Sequence, residues 1–279
     1  MAFNFNDKVM ADRNATLIVD SLNLAFRWKH QGRTDFRYEF IKTVESLAKS
    51  YNCKRVLVTC DKGSSEYRKY IYPEYKQNRK DKFAQQTEKE KLEFEEFFLE
   101  YEQALKLCEE EDGFTVFRYE GVEADDIAAY IVKYREKFNL GEIWLVSSDR
   151  DWDLLIQPGV SRFSYVTRKE VTIENWGEHY NVTPEMYISL KCLTGDKGDN
   201  VPGIPGIGIK RAASLIEEYG DALEIYNTLP IESKYKYIQS LNENAEQLLR
   251  NYELMDLVTY CEDAIRSNSM DIEEKLSAS

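Results

Sequence analysis

Histidine is nearly missing from this chain: His30 and His179 are the only two in 279 residues. Chemistry built on imidazole, whether a Ser/His triad or a histidine-rich zinc site, is thereby set aside. Paired cysteines are missing as well. Cys53, Cys60, Cys108, Cys192 and Cys261 are scattered without CxxC spacing, so a structural zinc site is not expected. An odd number of thiols without an export signal points to reduced cysteines in a cytoplasm. No apolar run approaches membrane-spanning length, so no membrane partner is expected. The opening MAFNFNDKVMADRN lacks the basic start and apolar stretch of a signal peptide, and residues 1–14 read as a frayed arm. Solenoid repeats and low-complexity linkers are absent. Positive charge is outnumbered, 37 Lys/Arg against 50 Asp/Glu. The net charge of −13 on its own argues against a nucleic-acid partner, so the placement of charges matters more than their sum.

Hydrophobic residues make up 43% and charged residues 31%, ordinary for a soluble chain able to bury a core. TLIVD (16–20), RVLVTCD (55–61) and EIWLVSSD (142–149) are apolar runs that end in Asp20, Asp61 and Asp149. A helical pattern lies near 36–51. FTVFRYE (114–120) reads as a further strand leading into a helix over VEADDIAAYIVKYREKF. Strands alternating with helices predict a mostly parallel sheet with helices on both faces, and ligands then sit beyond the carboxyl ends of the strands. A hairpin is expected from SRFSYV and KEVTI. From about residue 183 the chain reads as a helical region, with Thr183 and Pro184 opening one helix and Asp221 with Glu224 capping another.

Carboxylates form the main signal. Asp20, Asp61 and Asp149 close strands. Glu123 and Asp126 are three apart and share a helix face, flanked by Asp125. Asp149 and Asp151 lie in SSDRDWD, and Asp196 and Asp199 in TGDKGDN, whose glycines permit a tight loop. One such residue is usually a turn or cap residue. All of them at one end of a sheet would repel severely without divalent cations. Magnesium or manganese suits an all-oxygen site, and two ions about 4 Å apart can clamp both oxygens of a phosphodiester displacement. Asp153 is read as a solvent-facing or capping residue and left out of the set.

Two segments offer counter-charge. Residues 62–91 hold nine Lys/Arg against five Asp/Glu. Within them Tyr75 offers a stacking face, and Lys76 and Arg79 offer charge to a reacting phosphate. The helix that follows starts at Thr87 with a Thr87/Glu90 capping box. Its stripe of Phe94, Phe97, Phe98, Tyr101, Leu105 and Cys108 is read as packing, its many glutamates as a solvated face. VPGIPGIGIKR can be a helix–hairpin–helix type turn whose glycines admit a phosphate, with Lys210 and Arg211 in the next helical turn. Taken alone it is equally an ordinary Gly/Pro connection; directly after TGDKGDN the DNA reading is favoured.

Over about residues 15–260, IVDSLNLAFRWKH, PEYKQNR, GVEADDIAAYIV, SSDRDWDLL, SLKCLTGDKGDNVPGIPGIGIKRA and KYIQSLN together resemble the 5′-nuclease (flap endonuclease, 5′–3′ exonuclease) family, in its stand-alone bacteriophage-type branch. The resemblance implies a PIN-like α/β domain (15–182) with a helical arch at about 62–112. It also implies a C-terminal helical region (183–279) with a helix–three-turn–helix element at about 183–220. It implies monomeric exonuclease and flap endonuclease activity on DNA with 5′ flaps, 5′ overhangs or frayed 5′ ends, leaving 5′-phosphate and 3′-hydroxyl. Two Mg2+ ions, replaceable by Mn2+, are implied, the first held by Asp61, Glu123, Asp125 and Asp126 with Asp20 nearby, the second by Asp149, Asp151, Asp196 and Asp199. Lys76 and Arg79 resemble arch residues at the scissile phosphate, Tyr75 a stacking tyrosine, and Arg27 and Lys191 basic positions near the site. Gly203, Gly206 and Gly208, with Lys210 and Arg211, resemble the duplex-binding turn, which can also hold K+. Two departures stand out: Gln77 where the family pattern has glycine, and a strongly acidic second limb of the arch.

Overall fold

The computed structural model describes residues 15–279. The expected N-terminal arm, 1–14, lies outside the described residues. The first strand, β1 (Ala15–Asp20), is buried along its whole length, as a strand covered on both faces must be. Its side chains alternate. Leu17 and Val19 pack with Trp28, Phe40, Val58 and Phe97 on one face of the sheet, and Ile18 packs with Leu57, Phe117, Ile127 and Leu145 on the other.

Helices α1 (Ser21–His30) and α2 (Arg37–Ser50) carry the chain to β2 (Cys53–Cys60). A long insertion then holds α3 (Glu66–Ile71), α4 (Gln77–Ala84) and α5 (Glu88–Glu110) before β3 (Phe114–Arg118). Helix α6 (Ala124–Lys133) leads to β4 (Glu142–Val146), followed by a 3-10 turn (Arg150–Leu155) and the hairpin β5 (Val160–Ser164) and β6 (Lys169–Val171). The strand order is β3-β2-β1-β4-β5-β6, parallel except for β6. Successive strands run outward from β1 on one side, and then β4 is laid on the other side of β1. That reversal opens a crevice at the carboxyl ends of β1 and β4, where open parallel sheets bind ligands. Asp20 and Asp149 flank it.

The rest is helical: α7 (Pro184–Thr194), α8 (Ile209–Tyr219), α9 (Ala222–Thr228), α10 (Lys236–Glu243), α11 (Ala245–Met255), α12 (Leu257–Ile265) and α13 (Ser269–Ala278). Between α7 and α8 two-residue strands β7 (Gly195–Asp196) and β8 (Val201–Pro202) pair. Leu257, Cys261 and Ile265 join the core around α6, which docks this region on the sheet. Among the described residues no helix is long and apolar enough to cross a membrane.

Both expected capping boxes form, at Thr87/Glu90 and Asp221/Glu224. Pro184 takes the first helical position of α7, whereas the Thr183 side chain makes no cap bond. Of the α5 stripe, Phe97, Tyr101, Leu105 and Cys108 are buried, but Phe98 is 39% exposed. The acidic face of α5 also departs from a purely solvated one. Glu100 is buried and takes Arg37 through both oxygens, and Glu102 pairs with Arg118.

Candidate active site

Each acid is fixed by the backbone around it. Asp20 ends β1 and caps α1 by accepting from the Asn23 N–H at 3.2 Å, while the Ser147 hydroxyl donates to its other oxygen at 2.8 Å. Asp61, just past β2, accepts from the Ala124 N–H at 2.7 Å and so joins the β2 end to the start of α6. Glu123 stands at the N-cap position of α6, and Glu123, Asp125 and Asp126 each bring an oxygen within 4.8 Å of the others. Asp149 caps the 3-10 turn by accepting from the Asp151 N–H at 3.0 Å. Asp196 folds its own loop, accepting from the N–H groups of Gly198 (2.7 Å) and Asp199 (3.2 Å).

Asp20, Asp61, Glu123, Asp125 and Asp149 line one groove of about 240 Å³, together with Lys76 and Arg79. Asp151 and Asp196 meet beside it through Lys191, whose Nζ lies 2.5 and 3.1 Å from them. Asp199 leans toward the first group: Tyr75 Oη lies 2.9 Å from an oxygen of each of Asp199 and Glu123, its one proton shared between them. Lys76 Nζ lies 2.9 Å from Glu123 and 3.6 Å from Asp199, and Arg79 also pairs with Asp199. Lys76 holds a left-handed conformation (φ 56°) and its N–H donates to the Asp199 carbonyl at 2.8 Å. A lysine held there marks a constrained position. Gln77, where the family pattern has glycine, lies in the first turn of α4 and bonds Asp81 at 2.9 Å.

The structure corrects the readings of Tyr75 and Asp153 and places the other sequence-predicted residues as follows. Tyr75 is only 3% exposed, so its ring is no open stacking platform; its hydroxyl ties two acids together instead. Arg27 does not line the acidic groove. It lies over the Tyr165 ring at 4.2 Å, in a separate cavity with Lys42 and Arg168. Gly203 serves backbone contact within its own turn: a Cβ there would lie 2.1 Å from the Thr194 carbonyl oxygen. Gly206 has φ +80°, and Gly208 opens α8 with free space around it. Lys210 is exposed, while Arg211 folds back on the Gly206 carbonyl at 2.6 Å. Asp153 neither faces solvent nor caps a helix. It is 1% exposed and holds Arg162 through both oxygens. Arg68 was missed altogether: it is buried against Asp126 and Glu123, and a basic, polar segment gives no local sign of that.

Burial, then the neighbouring Asp61, pushes the Asp20 carboxyl up to about 8. Burial also raises Asp61, Asp125 and Asp126, and it raises Asp151 to about 6 although Lys191 opposes it. Glu123 goes the other way: burial would raise it, but Lys76 and Arg68 hold it at about 2. The donors are all oxygen, and the charge is only partly matched by Lys76, Arg68, Arg79 and Lys191. That is the setting hard divalent cations fit.

The sign of the pH effect follows. A carboxyl group raised on folding binds a proton more tightly in the folded chain, so stability falls as pH rises between the unfolded value near 4 and the folded one. Without metal, the protein is therefore expected to melt higher at about pH 5.5 than at about pH 8, by several degrees. Below about pH 4 the depressed Glu123 and Asp196 reverse the trend. Millimolar Mg2+ at pH 8 is expected to remove the difference, because binding to the folded state alone stabilises it. Thermal melts in chelator at both pH values check this; a higher metal-free melting temperature at pH 8 refutes it.

The fold and this groove define a class. The family descriptions "5′-3′ exonuclease, N-terminal resolvase-like domain" and "5′-3′ exonuclease, C-terminal SAM fold" match residues 15–181 and 182–277. The chain belongs to the 5′–3′ exonuclease family. The flap endonuclease of Escherichia phage T5 is 46% identical over 270 residues, covering 96% of this chain and 92% of that protein. A crystal structure of that phage enzyme, in a pseudo-enzyme-product complex with DNA and metal ions, superposes with a TM-score of 0.88 at 45% identity. It covers 95% of this chain and 97% of the other. The 5′-3′ exonuclease of Buchnera aphidicola is 30% identical over 80% of this chain and 73% of its own.

Proposed function

We propose that this chain is a structure-specific 5′-nuclease. It hydrolyses DNA phosphodiesters at 5′ flaps, 5′ overhangs and frayed 5′ ends, as exonuclease and flap endonuclease, leaving 5′-phosphate and 3′-hydroxyl ends. The observation that carries the reading is the single groove holding Asp20, Asp61, Glu123, Asp125 and Asp149 with Lys76 and Arg79. A protein that only bound DNA would gain nothing from aiming five acids at phosphate.

Two Mg2+ ions, with Mn2+ as substitute, fit the oxygen donors. When bound they stabilise the attacking and leaving oxygens of the displacement. Asp61, Glu123, Asp125 and Asp126 are assigned to the first ion, with Asp20 at its edge, and Asp149, Asp151, Asp196 and Asp199 to the second. Lys76 and Arg79 meet the charge that develops on the scissile phosphate, and Lys191 orients Asp151 and Asp196. The turn from Gly203 to Gly208 and the start of α8, with Lys210 and Arg211, hold duplex backbone without reading sequence. K+ is assigned to the same turn. Arg27, set apart from the groove, extends the DNA contact beyond it. The enzyme is read as a monomer working in the cytoplasm.

An end-labelled 5′-flap oligonucleotide incubated with and without Mg2+, with products sized to the nucleotide, is the test. Magnesium-dependent cuts near the branch are expected. Retention of the flap DNA without cutting would leave a binding protein, and preferential cutting of RNA would make it a ribonuclease of related fold.

A further inference from the structure

Arg68 lies in α3, 4% exposed, among the acids of the first cluster. Nη1 and Nη2 donate to the two oxygens of Asp126 at 2.6 Å each, and Nη1 also faces Glu123 Oε2 at 3.3 Å. Nε donates to the main-chain carbonyl of Leu254, in α11, at 2.8 Å. The Ser65 hydroxyl accepts from the Arg68 N–H at 3.1 Å and fixes the start of α3. One guanidinium thus joins the arch insertion, the acids of α6 and the C-terminal helices. Asp126 has both oxygens engaged in this two-pronged pair, whereas Asp125 beside it lines the groove.

We propose that Arg68 is a positioning residue for the cutting reaction, holding Glu123 and Asp126 in their cation-binding arrangement and tying it to the C-terminal helices through Leu254. The inference rests on the nuclease reading above. Charge neutralisation and positioning make opposite predictions. If Arg68 only neutralised, removing it would leave the groove more negative, and a divalent cation would bind more tightly. If it positions, its loss leaves Asp126 buried without a partner and Glu123 without one of its donors. Cation binding then weakens despite the added negative charge, as when the hydrogen-bond partners of metal ligands are removed. Lysine keeps the charge but cannot form the fork, so it does not replace arginine here.

The test uses the full-length chain with Arg68→Met and Arg68→Lys. Circular dichroism and thermal melting establish the fold. Mn2+ binding is followed by electron paramagnetic resonance without DNA, and kcat and KM are measured on a 5′-flap. Both variants are expected to bind Mn2+ roughly 10–100-fold more weakly and to lose kcat by a larger factor than they change KM. If Arg68→Met does not fold, Arg68→Lys decides. Wild-type Mn2+ affinity and kcat in Arg68→Lys, or Mn2+ binding in Arg68→Met as tight as wild type or tighter, overturns the proposal. Failure of the unmodified chain to cut the flap would instead strike the nuclease reading.

Discussion

Asparagine at position 149 is expected to lower turnover on the order of 10³-fold or more, about 4 kcal/mol of transition-state stabilisation, while leaving the fold intact. The two halves of this expectation come from different atoms. Asp149 holds its turn by accepting from the Asp151 N–H, a bond an asparagine carbonyl oxygen also makes, and asparagine is as good a cap. What is lost is the negative charge. Asp149 is exposed at the mouth of the crevice beside Asp20, whose carboxyl it helps to raise. Asp149→Asn should therefore melt no lower than wild type without metal, and slightly higher at about pH 8. Single-turnover flap cleavage in magnesium with paired melting curves reads both effects. Near-normal turnover would remove Asp149 from the site.

Lys76→Met is expected to lower the single-turnover rate about 10²–10³-fold, the usual loss when one charge-stabilising donor is removed. Methionine keeps the unbranched stem of the side chain without its terminal ammonium and is no worse suited to a positive φ than lysine, so the backbone is not asked to change. The ammonium faces both Glu123 and Asp199, so one cation serves an acid of each group. DNA affinity should fall far less than the rate, because Lys76 is one contact among many along the backbone. Binding of flap DNA in Ca2+, beside cleavage in Mg2+, separates the two. A loss of affinity as large as the loss of rate would make Lys76 a grip on DNA.

The legible part of this site was the part written in local pattern. An apolar run that stops at an aspartate is the trace of a buried parallel strand whose end meets the crevice, and Asp20, Asp61 and Asp149 could be read that way. Glu123 and Asp125 followed from their place at the start of an apolar helix. Residues whose meaning depends on a distant partner were not legible. Arg68 sits between Tyr67 and Lys69 like any solvated arginine, and only folding brings Asp126 to it, 58 positions away. The pairs Arg162–Asp153 and Arg37–Glu100 are of the same kind. Tyr75 was misread for the opposite reason. Lys76 and Arg79, one and four positions on, face the groove, and a sequence does not tell which of three nearby polar residues turns inward.

The bond from Arg68 to the Leu254 carbonyl has a bearing on how the protein is made. A chain emerging from the ribosome acquires the ends of β1, β2 and β4 early, yet that carbonyl arrives more than a hundred residues after the last of these strands. Until then Arg68 lacks one anchor and its hold on Asp126 is unsupported from that side. By the positioning role proposed for Arg68, the acids at the start of α6 are among the last parts of the molecule to set.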